Sequence, residues 1–238
     1  MHAFVNEPKN QKYRCIFEWM NSIKYYMSYL FELPVRTLKS EQSGKLIITL
    51  HKGQLKLSTD RVVYSFGKHY HSFSRAFEKI QIQQRMLKNV LILGAGLGSI
   101  LHLLEEHSTI CEVTAIENDP IVLEAAHEFQ SSSLSKRTNW ILSDAFQYVI
   151  ENKQYYDAIF FDVFIHEKTP EQFLNESFLF KLKQSLDIGG ILIFSKMSNL
   201  DLLDENDVFK KRFLSVFSDS EVLHLYGNII FIGFNTKE

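Results

Sequence analysis

The sequence predicts an α/β fold: a doubly wound, mostly parallel sheet of seven strands that ends in an antiparallel hairpin, with a small N-terminal appendage of one helix plus a β-meander. Three observations predict it. From Asn89 onward short apolar runs alternate with stretches of helical period, the pattern of a parallel sheet covered on both faces. The first such run, Val90–Leu93, feeds directly into Gly94-Ala95-Gly96-Leu97-Gly98, a turn at which a ligand can approach bare backbone. Near the end, only Gly227-Asn228 separate Glu221–Tyr226 from Ile229–Phe234, spacing that suits a tight hairpin and not another crossover.

The elements follow in order. Apolar residues recur at Ile16, Trp19/Met20, Ile23, Tyr26/Met27 and Leu30/Phe31, one face of a helix that Pro34 closes. Its charges are of mixed sign, so it is expected to pack on its own domain. Lys45–His51, Gln54–Ser58 and Val62–Phe66 are rich in Ile, Leu, Thr and Val and are split by turn residues, which predicts an antiparallel meander. Phe73–Leu87 returns to the helical period. Residues 1–85 are therefore expected to form the appendage and residues 86–238 the main domain. In the latter, strands are expected at Val90–Leu93, Glu112–Glu117, Asn139–Leu142, Tyr156–Asp162 and Gly190–Lys196. Helices are expected around Ser99–Glu106, Ile121–Gln130, Ala145–Glu151, Asn175–Leu186 and Glu205–Phe217.

Bulk properties exclude several classes. The formal net charge of −2 gives nucleic acid no bulk electrostatic attraction. No stretch approaches the ~18 apolar residues that span a bilayer, and the N-terminus lacks a small-residue cleavage site. The expectation is a cytoplasmic chain with neither a nucleic-acid nor a membrane partner. Cys15 and Cys111 stand far apart with no metal-ligand spacing, so reduced thiols and no metal site are expected.

Four signals carry chemistry. The glycine turn supplies Gly94, Ala95, Gly96 and Gly98 as candidate contacts to a nucleoside. The third glycine of a dinucleotide fingerprint would fall on Ser99, so that reading is disfavoured. Glu117 ends the second strand, where a carboxylate can accept both hydroxyls of an adenosine ribose, and Asn118 follows it into the pocket. Asp119 is expected to cap the helix that Pro120 opens. Asp144-Ala145 ends the third strand: the acid can accept from an adenine amino group or cap the helix Ala145–Glu151, and the small neighbour leaves room for the ring. Alongside the first two signals, adenine recognition is favoured. Asp162 ends the fourth strand at the topological switch point, between Phe161 and Val163. Partial desolvation there raises its pKa and suits it to accept a proton.

Together these signals resemble the class I S-adenosylmethionine-dependent methyltransferase superfamily, and within it the spermidine synthase branch, over most of the chain from Lys45 to Phe234. That resemblance implies a methyltransferase-type sheet in an S-adenosylmethionine-binding domain. Gly53-Gln54 is similar to the family's glycine-glutamine pair, which implies that Gln54 helps to hold the nucleoside. Asp60 followed by Tyr64 or Tyr70 is similar to its acidic-then-tyrosine segment, and spacing to Gly94 favours Tyr70. Glu117, Asp144 and Asp162 match its ribose, adenine and catalytic carboxylates. The resemblance also allows a homodimer paired through the appendage.

The departures set the functional expectation. Leu97 stands where the family's loop has an aspartate that helps to hold the donor's aminopropyl ammonium. Ile165 stands where its catalytic loop has a second aspartate. An unpaired ammonium is costly in a dry pocket, so an acceptor site built from Tyr70, Phe164 and His166 is expected to be less acidic and more aromatic. The first expectation is therefore methyl transfer from S-adenosylmethionine to a small-molecule acceptor, with Asp162 as the base. The alternatives are aminopropyl transfer from decarboxylated S-adenosylmethionine, as in polyamine biosynthesis, and nucleoside binding without catalysis.

Overall fold

The computed structural model describes residues 22–60, 62–107, 111–129, 133–165, 168–198 and 203–236. Residues 22–27 form a short helix, α1. The rest of the expected first helix, from Ile16, lies outside the described residues. β1 (Leu33–Ser40), β2 (Gly44–His51), β3 (Gln54–Ser58) and β4 (Val63–Ser65) then make an antiparallel sheet in sequential order. β1 is a strand that the periodicity did not reveal, because Pro34 reads as a breaker. At the edge of a sheet its missing N–H costs no ladder bond, and the register slips beside it between Pro34 and Arg36.

α2 (His71–Ile80) is shorter than expected. Gln81, left-handed at φ 52°, ends it before the predicted Leu87. The helix packs Phe73 and Phe77 against Val90, Phe160, Ile193 and Ile230 of the larger sheet, although the sequence reading grouped it with the appendage.

The remaining elements are β5 (Asn89–Leu93), α3 (Ser99–Glu106), β6 (Glu112–Glu117), α4 (Pro120–Phe129), β7 (Asn139–Leu142) and α5 (Ala145–Glu151). They continue with β8 (Tyr156–Phe161), α6 (Glu176–Gln184), β9 (Leu186–Met197), α7 (Leu203–Val216), β10 (Ser220–Leu225) and β11 (Asn228–Phe234). Seven strands stand in the order β10-β11-β9-β8-β5-β6-β7. β5 to β9 are mutually parallel, and β11 and then β10 add on antiparallel. The expected doubly wound sheet is thus present. Its closing loop is Tyr226-Gly227, one residue earlier than predicted, with Leu225 paired to Asn228 and Gly227 at φ +80°.

Alternation along buried strands splits the core in two. Leu91, Leu93, Phe161, Phe194 and Phe231 face α5, α6 and α7, while their neighbours face α2 and α3. The chain reverses direction across the sheet between β5 and β8. The loops leaving those two strands therefore meet at the switch point, where a crevice opens.

The small sheet is docked firmly on the large one. Leu46, Ile48 and Leu57 pack on Leu97, Val122, Ala125 and Ala126. The buried carboxylate of Asp119 accepts from Ser40 Oγ at 2.5 Å and Ser43 Oγ at 2.9 Å, in the β1–β2 turn. Its other oxygen caps α4 by accepting from the Ile121 N–H at 3.0 Å.

Candidate active site

The crevice begins with the glycine turn. Gly94 has φ +81°, and a Cβ placed there would lie 2.5 Å from the carbonyl oxygen of Asp162. Only glycine lets the β5 and β8 loops approach this closely. The turn's own donors are already engaged: the Gly94 and Ala95 N–H groups donate to the Ile116 carbonyl, and the Gly98 N–H to that of Ala95. The Gly96 N–H donates to Glu117 Oε2 at 2.9 Å. A pyrophosphate needs free N–H groups at such a turn, so this one is not built to cradle phosphate.

Glu117 is 8% exposed and holds three backbone N–H groups, since Oε1 also accepts from Asn118 and Asp119 at 3.0 Å each. Burial raises its pKa and those hydrogen bonds pull it back. A carboxylate offers about four acceptor positions, so Oε2 retains one for a ligand hydroxyl. The exposed Asn118 stands beside it and accepts at its carbonyl from Gln42 Nε2. Further along, Asp144 caps α5 by accepting from the Gln147 N–H at 2.9 Å, next to the buried Ala145. Gly94, Asn118, Asp144 and Ala145 share one end of the crevice with Ile165 and Phe173. Gly96, Glu117, Asp162 and Phe164 share the other, a cleft open to solvent.

Asp162 closes that second part. It is buried, and Tyr70 Oη donates to its Oδ2 at 2.7 Å. Oδ1 is buried with no hydrogen-bond partner. The Ser195 hydroxyl gives it a weaker polar contact that falls short of hydrogen-bond geometry. Burial pushes the carboxyl up to about 7, against the opposing effect of the Tyr70 and Ser195 hydroxyls. Burial beside this acid likewise drives the Tyr70 phenol well above its usual value.

The structure therefore brings together Gly94, Gly96, Glu117, Asn118, Asp144, Ala145, Asp162, Tyr70 and Phe164. Ala95 and Gly98 shape the turn from behind, both buried. Gln54 is not in this crevice. Its amide lies against Gly67, in a separate cavity lined by Leu97 and His102 on the far side of the turn. Leu97 is also turned away, into the packing between the sheets. His166 lies outside the described residues. Sequence reasoning missed Gln42 and Ser43, which line the crevice from the β1–β2 turn. It also missed Ser195, whose only signal is a lone hydroxyl just after the apolar run Ile191–Phe194. Among the described residues no cluster of three His, Cys, Asp or Glu could hold a metal, and no helix is long and apolar enough to cross a membrane.

A family model described as the spermine/spermidine synthase domain matches residues 72–221, which include Glu117, Asp144 and Asp162. The chain belongs to this family. A polyamine aminopropyltransferase of Vibrio vulnificus is 27% identical over 153 residues, covering 63% of this chain and 51% of that protein. One from Saccharolobus islandicus is 27% identical over 146 residues, covering 58% and 48%. The chain thus spans about half the length of the curated relatives it matches. Among solved structures, a probable spermidine synthase from Corynebacterium glutamicum superposes with a TM-score of 0.72 at 19% identity, covering 86% of this chain and 81% of that one. The spermidine synthase of Thermotoga maritima gives 0.66 at 17%, covering 87% and 74%. The spermine/spermidine synthase match overturns the expectation of methyl transfer. That expectation rested on Leu97 as a lost anchor, and the methyltransferase likeness extends only to the fold.

Proposed function

We propose that this spermine/spermidine synthase domain transfers an aminopropyl group from decarboxylated S-adenosylmethionine to an amine. The observation that carries the reading is the buried Asp162–Tyr70 pair, held by main-chain contact against the glycine turn in a chain of this family.

The residues present fit the nucleoside part of such a donor. Glu117 has one acceptor position left for the ribose, and Asp144 with Ala145 offers an acid and space for an adenine ring. The fit is thinner at the aminopropyl end. Leu97 offers no charge, and among the described residues Glu117 and Asp162 are the carboxylates that line that part of the crevice. When bound, the sulfonium supplies a carbon already activated toward nucleophiles. The protein's task is to align that carbon with the amine and to exclude water.

Asp162 does the proton work. The amine nitrogen bonds to the propyl carbon, the carbon–sulfur bond breaks with its electron pair on sulfur, and neutral methylthioadenosine leaves. The proton shed by nitrogen passes to Asp162. A carboxyl near 7 is ionised in about half the molecules at neutral pH, which suits a base that must recover between turnovers. Tyr70 holds the carboxylate in place by donating to Oδ2.

The test is to incubate the chain with decarboxylated S-adenosylmethionine and a panel of amines, and to follow methylthioadenosine release. Release that depends on amine, and that is lost in Asp162→Asn while donor binding persists, is expected. Absence of release with every amine, together with equal affinity for the carboxylated donor, would sink the reading.

A further inference from the structure

Behind the Asp162–Tyr70 pair a second cavity opens, between β4, the start of α2 and the β10–β11 turn. It is open to solvent at its mouth and has a volume of about 350 Å³. Phe164 lines both this cavity and the crevice, and Tyr70 lines this one while its hydroxyl donates to Asp162. A molecule seated here lies against Tyr70 and Phe164, the two side chains that stand between this cavity and Asp162. The cavity's walls differ in kind from the donor side. Val62, Phe66, Phe164 and Met197 make them apolar and aromatic, Tyr226 stands at the rim, and His69 and His71 supply imidazoles. Among the described residues that line this cavity there is no Asp or Glu, whereas the donor crevice has Glu117 and Asp162.

Resting on the aminopropyltransferase reading above, we propose that the acceptor is a primary amine carried on an aromatic or aliphatic body whose far end is uncharged, and not a diamine. Asp162 can take the proton of one amine. A diamine brings a second ammonium into the cavity, where none of the described lining residues is a carboxylate to offset its desolvation. The imidazoles supply no anion. A ring face attracts a cation more weakly than a carboxylate does, and the fully exposed Tyr226 competes with water. An apolar body gains from the same walls by burying surface against Phe66, Phe164 and Met197.

The experiment gives the chain decarboxylated S-adenosylmethionine with phenethylamine, hexylamine, putrescine or spermidine. Methylthioadenosine is followed, and the aminopropylated product is identified by mass spectrometry. One of the two monoamines is expected to be used with kcat/KM at least about tenfold above putrescine. Putrescine or spermidine used equally well or better overturns the acceptor assignment and leaves aminopropyl transfer standing. No release with any amine, and no binding of decarboxylated donor by calorimetry, overturns the underlying reading and the acceptor with it. Two rim variants test the cause. His71→Asp lies at the exposed start of α2, where a carboxylate suits the helix N-terminus. Val63→Asp lies on the half-open face of β4. Each is expected to move the putrescine-to-phenethylamine ratio toward putrescine by about tenfold. An unchanged ratio in both, with folding intact by circular dichroism, counts against the proposal.

Discussion

The proposed mechanism asks Asp162 to be both buried and ionised, and its surroundings only half permit this. One oxygen has the Tyr70 hydroxyl; the other has no full partner. With the carboxyl near 7, the acid limb of kcat/KM should be centred close to pH 7. Tyr70→Phe removes a donor that favours the carboxylate, so that limb should move upward. Activity then falls more at pH 7 than at pH 8.5, and a limb that stays in place would show that Tyr70 does not act through Asp162. Ser195→Ala should move it the same way by less. Stability has the opposite interest. The folded-state pKa is raised above the unfolded value near 3.8, so this group's contribution is fully present below that value and is lost as pH rises through about 7. At pH 8 the ionised acid weakens the native state by a few kcal/mol. Asp162→Asn should therefore abolish turnover yet raise Tm, more at pH 8 than at pH 5. Equal shifts at both, measured by thermal denaturation, would mean the carboxyl is not so perturbed.

Among the elements, the glycine turn is the most sharply specified. Gly94→Ala adds a methyl 2.5 Å from a main-chain oxygen at a positive φ. Neither partner can yield cheaply, so a loss of about 2–4 kcal/mol is expected in urea denaturation, at the upper end of single-residue effects. Such a turn is legible in a sequence because no other residue fits it. For the same reason β6, α3, α5 and the carboxylates that end β6 and β8 could be placed from pattern alone. β1 could not, because Pro34 is a breaker in a helix and harmless on an edge, and local pattern does not tell which applies. The end of α2 was hidden similarly: a left-handed Gln81 leaves no composition signal, and apolar Ile82 and Leu87 continue the period into a different local structure. Gln54 shows a different limit. Its place beside a glycine in a strand was readable, but which side of the glycine turn that strand faces is a tertiary fact. The donor-side contributions of Gln42 and Ser43 depend on the Asp119 clamp, a contact between residues nearly eighty apart in the chain.

At the scale of the molecule, the two sheets function as one body. Leu97 lies in the apolar contact between them, so Leu97→Asp, a change that would imitate the family's loop, buries a charge among Leu46, Ile48 and Val122. A cost of about 3–5 kcal/mol is expected from an unpaired buried carboxylate, read as a lowered urea midpoint. A midpoint unchanged within error would show that the contact yields. We propose residue 85 as a boundary of role and not of folding. A fragment beginning at residue 86 lacks Phe73 and Phe77, which fill one face of the large sheet, and should unfold without cooperativity; a sharp calorimetric transition would show otherwise. The crossing of the β5 and β8 loops has a last consequence. Asp162 donates its N–H to the Leu93 carbonyl at 2.8 Å, and its own carbonyl occupies the place a side chain on Gly94 would need. On the proposed function, the proton acceptor and the nucleoside seat are thus mounted on one datum, as two jaws of a gauge are cut from a single block. Rim side chains of the second cavity such as Val63, His71 and Tyr226 stand apart from that main-chain contact, so on this reading exchanging them would alter the guest and leave the gap for transfer the same.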